Sequence, residues 1–227
     1  MYWNEDKKTE EFQVPDDVMD VYFSVKCKCL PLEHMHALSE SLYSVLPWLE
    51  GEALAGILPI AGSESGNGWE RSNDPNELIY LSRRQKMMMR LPKERLVDVE
   101  ALVGKTITVS GHDIEIGKTS IKKLSDLPTA FCRSILIENT MEENDFLEWA
   151  FDELKKMDVT VRKMMAGKER VVDLPNGGQR VTRSLMLAEL KQLESIRLQQ
   201  HGLGEGRKHG CGLFMPQKDI KAVNSDD

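Results

Sequence analysis

Along this chain the apolar positions switch between two periods. "DVYFSVKCKC" (20–29) alternates apolar and polar residues, as a strand with one buried face does. "EHMHALSESLYSVLPWL" (33–49) then places Met35, Leu38, Leu42, Val45, Leu46 and Leu49 at helical spacing. "LAGILPIAG" (54–62) is a short apolar run between turn residues, and the polar, glycine-rich stretch 62–77 reads as a loop. "LIYLSRRQKMMMRL" (78–91) reads as a strand or a kinked hairpin. "PKERLVDVEALVG" (92–104) predicts a helix with Pro at its first turn and Gly at its end. "TITVSGHDIEIG" (106–117) returns to strand alternation. The order is βαββαβ.

The second half repeats it. "TAFCRSILIEN" (129–139) is a strand, and "MEENDFLEWAFDELKKM" (141–157) an amphipathic helix with Phe146, Trp149, Leu154 and Met157 on its apolar side. Two strands flank "PNGG" (175–178), whose Asn-Gly is a strong hairpin signal. "KQLESIRLQQ" (191–200) predicts a short helix, and "GLFMP" a last strand. Together these predict an α+β fold of two tandem ferredoxin-like units, residues 1–125 and 126–227.

Charge is asymmetric along the chain. The net charge of −7 argues against a polyanion, but residues 1–77 carry a balance of −10 and residues 78–227 one of +3. Positions 83–95 hold Arg83, Arg84, Lys86, Arg90, Lys93 and Arg95 against one acid, Glu94. Such clusters are compatible with nucleic acid on one face. Read as a strand, Arg84, Lys86, Met88 and Arg90 share one side and form a candidate RNA-backbone track. The four cysteines (Cys27, Cys29, Cys132 and Cys211) lack the spacing of a zinc site and read as reduced thiols of a cytoplasmic protein. No stretch has the roughly 18 apolar residues of a membrane helix. No metal or cofactor is expected. "GHDIEIGKTS" (111–120) mimics a phosphate-binding loop, but five residues rather than four separate Gly111 from Gly117, and the isoleucines alternate as in a strand.

The densest signal lies near the C-terminus. "GLGEGRKHGCGLFMP" (202–216) has five glycines in eleven positions. Gly202-Leu203-Gly204 and Gly210-Cys211-Gly212 are separated by a five-residue spacer that carries Arg207 and Lys208. Glycines let a backbone approach a ligand and present N–H groups to it. Gly202, Gly204, Gly210 and Gly212, with Arg207 and Lys208, are therefore candidate phosphate contacts, together with Arg84, Lys86 and Arg90.

This signature, after the last helix of a double βαββαβ chain, resembles the CRISPR RNA-processing endoribonucleases. They are the sixth Cas family of the repeat-associated RNA-binding superfamily. "GLGEGRKHGCGLFMPQK", "LPLEHMHALSESLYSVLPWL", "SRRQKMMMRLP" and "RSLMLAEL" are similar to the MYXAN subtype, and the resemblance spans nearly the whole chain. It implies a metal-independent nuclease that cuts CRISPR precursor RNA within its repeats, leaving a 2′,3′-cyclic phosphate. The alternative within the family is a subunit that holds guide RNA without cutting. Either form would bind repeat RNA and join other Cas proteins.

Such chemistry needs a base for the ribose 2′-OH, a group to steady the phosphorane and an acid for the leaving 5′-oxygen. Histidine suits the first and last. The family's catalytic histidine lies in the first helix. Pro31-Leu32-Glu33-His34 matches its Pro-x-acid-His pattern, which carries the role to His34. His36 stands where the pattern expects an aromatic residue, so the catalytic candidates are His34 and His36. His201 and His209 flank the glycine segment as possible RNA contacts, with His209 read as a loop residue rather than a catalyst.

Overall fold

The computed structural model describes residues 12–60, 77–138, 141–173 and 178–218. The loop expected over 62–77 and the Asn-Gly turn lie almost entirely outside these residues. The architecture is mixed α/β with antiparallel sheets. The first half runs β1 (Val18–Lys26), β2 (Cys29–Pro31), α1 (Met35–Val45), α2 (Trp48–Gly51), β3 (Gly56–Leu58), β4 (Leu78–Tyr80), β5 (Lys86–Pro92), β6 (Thr106–Val109) and β7 (His112–Lys123). The second half runs β8 (Thr129–Leu136), α3 (Glu143–Lys156), β9 (Lys163–Asp173), β10 (Gln179–Ala188), α4 (Gln192–His201) and β11 (Phe214–Gln217).

The first sheet has the order β3-β5-β1-β7-β6 and the second β11-β8-β10-β9. α1 buries Leu38 and Leu42 against the first sheet, in a core with Val21, Phe23, Ile57, Met87 and Met89. α3 buries Phe146, Ala150 and Leu154 against Ile135, Leu185 and Leu187 of the second.

Three elements differ from the sequence pattern. The helix expected over 33–49 breaks at Leu46, because Pro47 has no N–H to continue it, and α2 restarts at Trp48. The stretch 78–91 serves two sheets: β4 pairs with β2, and β5 pairs with β1 and β3. The helix expected over 92–104 is instead two 3₁₀ turns, Lys93–Arg95 and Asp98–Leu102. Its apolar residues Leu96, Val99 and Leu102 recur every third position, which is the 3₁₀ period. The stretch 106–117 is a hairpin. Its turn, Ser110-Gly111, has φ of 49° and 79°, the left-handed pair of a type I′ turn. That hairpin explains why "GHDIEIGKTS" is not a phosphate loop.

The halves are joined through a buried arginine. Arg90 on β5 faces Asp20 across the β1–β5 register and is fully buried. Its Nε and Nη2 donate to the two Asp20 carboxylate oxygens at 2.7 and 3.0 Å. Its Nη1 donates at 2.9 Å to the carbonyls of Gln199 on α4 and Phe214 on β11. Asp20 and Arg90 belong to the first half, Gln199 and Phe214 to the second. Gln200 adds a contact to Asp17 at 2.8 Å.

Candidate functional site

The glycine segment is first a folding device. Gly202 (φ 68°), Gly204 (74°), Gly206 (82°), Gly210 (78°) and Gly212 (69°) all take the left-handed conformation that side chains disfavour. Its two Gly-x-Gly stretches lie back to back. Leu203 N–H donates to Gly212 O at 3.0 Å, and Gly212 N–H to Ser134 O on β8 at 2.8 Å. A Cβ on Gly202 would stand 2.2 Å from Gly212 O, and one on Gly212 would stand 2.4 Å from Leu203 O. Gly202 N–H caps α4 by donating to Leu198 O. The N–H groups of Gly202 and Gly212, expected to meet phosphate, are thus used inside the protein.

The glycines therefore do not act alike. Gly212→Ala should destabilise the fold well beyond the roughly 1–2 kcal/mol of left-handed strain, because backbone must also move. Gly204→Ala, whose nearest neighbours lie 3.5 Å away, should pay little more than the strain. Urea unfolding of the two variants checks the order. Equal losses would remove the back-to-back packing as the reason for these glycines.

Between the stretches, Arg207–His209 form a 3₁₀ turn bounded by Gly206 and Gly210. This turn sits on the first half of the chain. Ser39 on α1 donates its hydroxyl to Lys208 O. Lys208 Nζ donates to Glu50 O, at the end of α2. Arg207 Nη2 donates to Leu54 O at 3.0 Å and to Gln200 O at 2.8 Å. Gly210 packs close to Pro59 and Met35, and a Cβ there would lie 3.0 Å from the Pro59 ring.

Two of the expected phosphate-binding arginines are corrected by this geometry. Arg207 is mostly buried, and burial lowers its guanidinium pKa to about 10. Its Nη2 is held by Leu54 and Gln200, while its Nε and Nη1 are buried with no partner among the described residues. Arg90 is the buried link between the halves. The expected open face of β5 is not found: only Lys86 is exposed, Met87 to Pro92 are buried on both faces, and the second half reaches Arg90. Arg84 lies exposed in the turn before β5. Lys86 is also exposed, with its amine 5.9 Å from the Tyr22 ring centre, and Lys122 flanks the same ring at 5.1 Å. Lys208 remains beside the α1 contact, its pKa lowered chiefly by burial.

The two candidate histidines have opposite environments. His34 precedes α1, and its carbonyl accepts from Leu38 N–H to start the helix. It is 2% exposed. Nδ1 lies 2.9 Å from Pro31 O, and Nε2 accepts from Ile60 N–H at 3.1 Å. The Pro31 carbonyl can only accept, so Nδ1 carries the proton and Nε2 does not. Both ring nitrogens thus lie within hydrogen-bond distance of backbone groups. His34 is a neutral strut that ties the strand preceding α1 to the segment following β3.

His36 is only half-buried and projects toward the glycine loop. Its ring centre lies 6.1 Å from that of His209, with the planes inclined at 53°. The Nδ1 atoms of both rings are buried and have no hydrogen-bond partner among the described residues. The His209 pKa is lowered, first by burial and then by repulsion from His36. Glu40, one turn along α1, acts on His209 in the opposite sense. Tyr43, on the same helix face, is raised to about 12 by burial and by Glu40 and Glu50, so it stays protonated and can donate a hydrogen bond. Sequence reading missed this pairing of His36 with His209. The available signal was a titratable residue inside the signature's spacer.

A CRISPR-associated endonuclease Cas6 of Myxococcus xanthus (strain DK1622) is 29% identical over 207 residues, covering 91% of this chain and 85% of that protein. A solved CRISPR-associated protein Cas6 superposes with a TM-score of 0.65 at 12% identity, over 88% of this chain and 100% of the other. A Cas6-related protein from Pyrococcus furiosus gives a TM-score of 0.59 at 12% identity, over 87% of this chain and 98% of the other. These low-identity likenesses speak to fold alone. The Cas6 Crispr family model matches residues 19–219, and the chain belongs to the Cas6 family of CRISPR proteins.

Proposed function

We propose that this Cas6 protein is an endoribonuclease that cuts CRISPR precursor RNA within its repeats, without metal, and that His36 is the first-helix histidine at the scissile phosphate. The ribose 2′-oxygen attacks the adjacent phosphorus. The bond to the 5′-oxygen breaks, leaving a 2′,3′-cyclic phosphate and a 5′-hydroxyl. The observation that carries the reading is the seating of the glycine-loop turn on α1, which brings His36, His209 and Lys208 together. Tyr43 and Lys208 are groups on that surface able to steady phosphorane charge. Lys86 and Lys122, around Tyr22, with exposed Arg84 in the turn before β5, offer a second cationic surface for the RNA backbone.

In this reading each half is a ferredoxin-like unit, 1–125 and 126–227, and the glycine loop of the second completes the site on the first. The sheet orders support it. β11-β8-β10-β9 is the order 4-1-3-2 of a βαββαβ unit, and β3-β5-β1-β7 is the same order with the second helix shortened to 3₁₀ turns. The protein then works in the cytoplasm, with repeat RNA and other Cas proteins as partners. A CRISPR endoribonuclease Cse3 solved bound to a 19-nucleotide RNA shares the fold at a TM-score of 0.50 and 10% identity.

The test is incubation of the protein with its cognate repeat RNA in EDTA. One specific cut with a cyclic-phosphate end is expected. A gel shift without a cut would leave the non-cleaving guide-RNA subunit as the function.

A further inference from the structure

We propose that His209, in the turn of the glycine loop, is a second catalytic residue: it takes the 2′-OH proton while His36 protonates the departing 5′-oxygen. The proposal deepens the reading above and rests on it. The geometry points to a pair because the two rings come from different halves of the chain yet lie 6.1 Å apart between centres. Their tilt of 53° excludes parallel stacking, and each keeps a buried ring nitrogen with no partner among the described residues. His34 shows how this fold treats a histidine it uses only for structure: both nitrogens are bonded to backbone. The glycines at either end of Arg207–His209, together with the Ser39 and Lys208 contacts, place the His209 ring against α1.

The groups facing His209 suit a base. From α1 come His36 and Glu40, and from its own turn Lys208; the segment after β3 brings Pro59 against neighbouring Gly210. Burial, His36 and Lys208 disfavour its protonated form, so the ring is neutral near pH 7 and able to accept. Glu40 then faces the cation formed when the proton arrives. The step balances. The 2′-OH proton goes to His209, the 2′-oxygen bonds to phosphorus, and the phosphorus–5′-oxygen bond breaks. The 5′-oxygen takes a proton from His36. Exchange with water resets both rings.

The test compares His209→Ala and His209→Asn with His36→Ala in single-turnover cleavage of repeat RNA, on the normal substrate and on one with sulfur replacing the bridging 5′-oxygen. Thiolate leaves without an acid, so that substrate removes the need for one. Both His209 variants should cut the normal RNA about 100- to 10,000-fold more slowly. They should stay slow on the thio substrate and lose the acidic limb of the pH–rate profile. His36→Ala should recover on the thio substrate. RNA affinity and unfolding midpoint of His209→Asn should match wild type, separating catalysis from folding. Wild-type rates in either His209 variant, or slow rates with an unchanged pH profile, would overturn the assignment. Recovery of the His209 variants on the thio substrate would overturn the base role. A wild-type protein that never cuts repeat RNA defeats the underlying reading itself, and is recognised before any variant is compared.

Discussion

His36→Ala should slow single-turnover cleavage of repeat RNA by about 100- to 10,000-fold while leaving RNA affinity close to wild type. A proton-transfer group acts on the transition state, so its loss appears in rate rather than ground-state binding. His34→Ala should behave differently. It removes a buried ring and strands the Pro31 carbonyl and the Ile60 N–H. Each unsatisfied group costs about 1–3 kcal/mol, so cleavage should fall only as the folded fraction falls. The check is rate and thermal midpoint measured together on both variants. A fully folded, inactive His34→Ala protein beside an active His36→Ala protein would return the catalytic role to His34.

Arg90→Ala should produce the largest loss of stability. Removing one partner of a buried ion pair typically costs about 3–5 kcal/mol, which is a large share of the roughly 5–15 kcal/mol of a native domain. Three partners are stranded at once: the Asp20 carboxylate, Gln199 O and Phe214 O. Arg90→Lys should be little better, because an ammonium cannot reproduce the fork that grips both carboxylate oxygens. Replacing both partners, as Asp20→Leu with Arg90→Met, should cost less than Arg90→Ala alone, since no charge is then left buried. Urea denaturation measures all three. An Arg90→Ala protein as stable as wild type would mean that the halves are held together without this link.

These results mark how far the sequence could be read. The second half was legible in the order of its strands and in α3, whose apolar Phe146 and Leu154 are the residues it buries. The glycine signature was legible as a location but not as a device. Nothing local says that Gly202 will press against Gly212, or that Gly212 N–H will find Ser134 O. Arg90 looked exposed for a similar reason. Alternation assigns it to a face of β5, but only tertiary packing decides that α4 and β11 cover that face. His34 lies outside α1 at its cap, so the helical spacing of 33–49 does not fix where its ring points. The His36–His209 pair leaves one local sign, a titratable residue in the signature's spacer, and its pairing forms only when a loop of one half meets a helix of the other.

The contact between Ser39 and Lys208 joins positions 169 residues apart. A chain still emerging from the ribosome has made the first helix long before the glycine loop exists. A chain clipped between the halves can keep either histidine, but not both in register. Under the mechanism proposed above, cutting then waits for completed synthesis, and a chain that lacks the glycine loop should leave repeat RNA uncut.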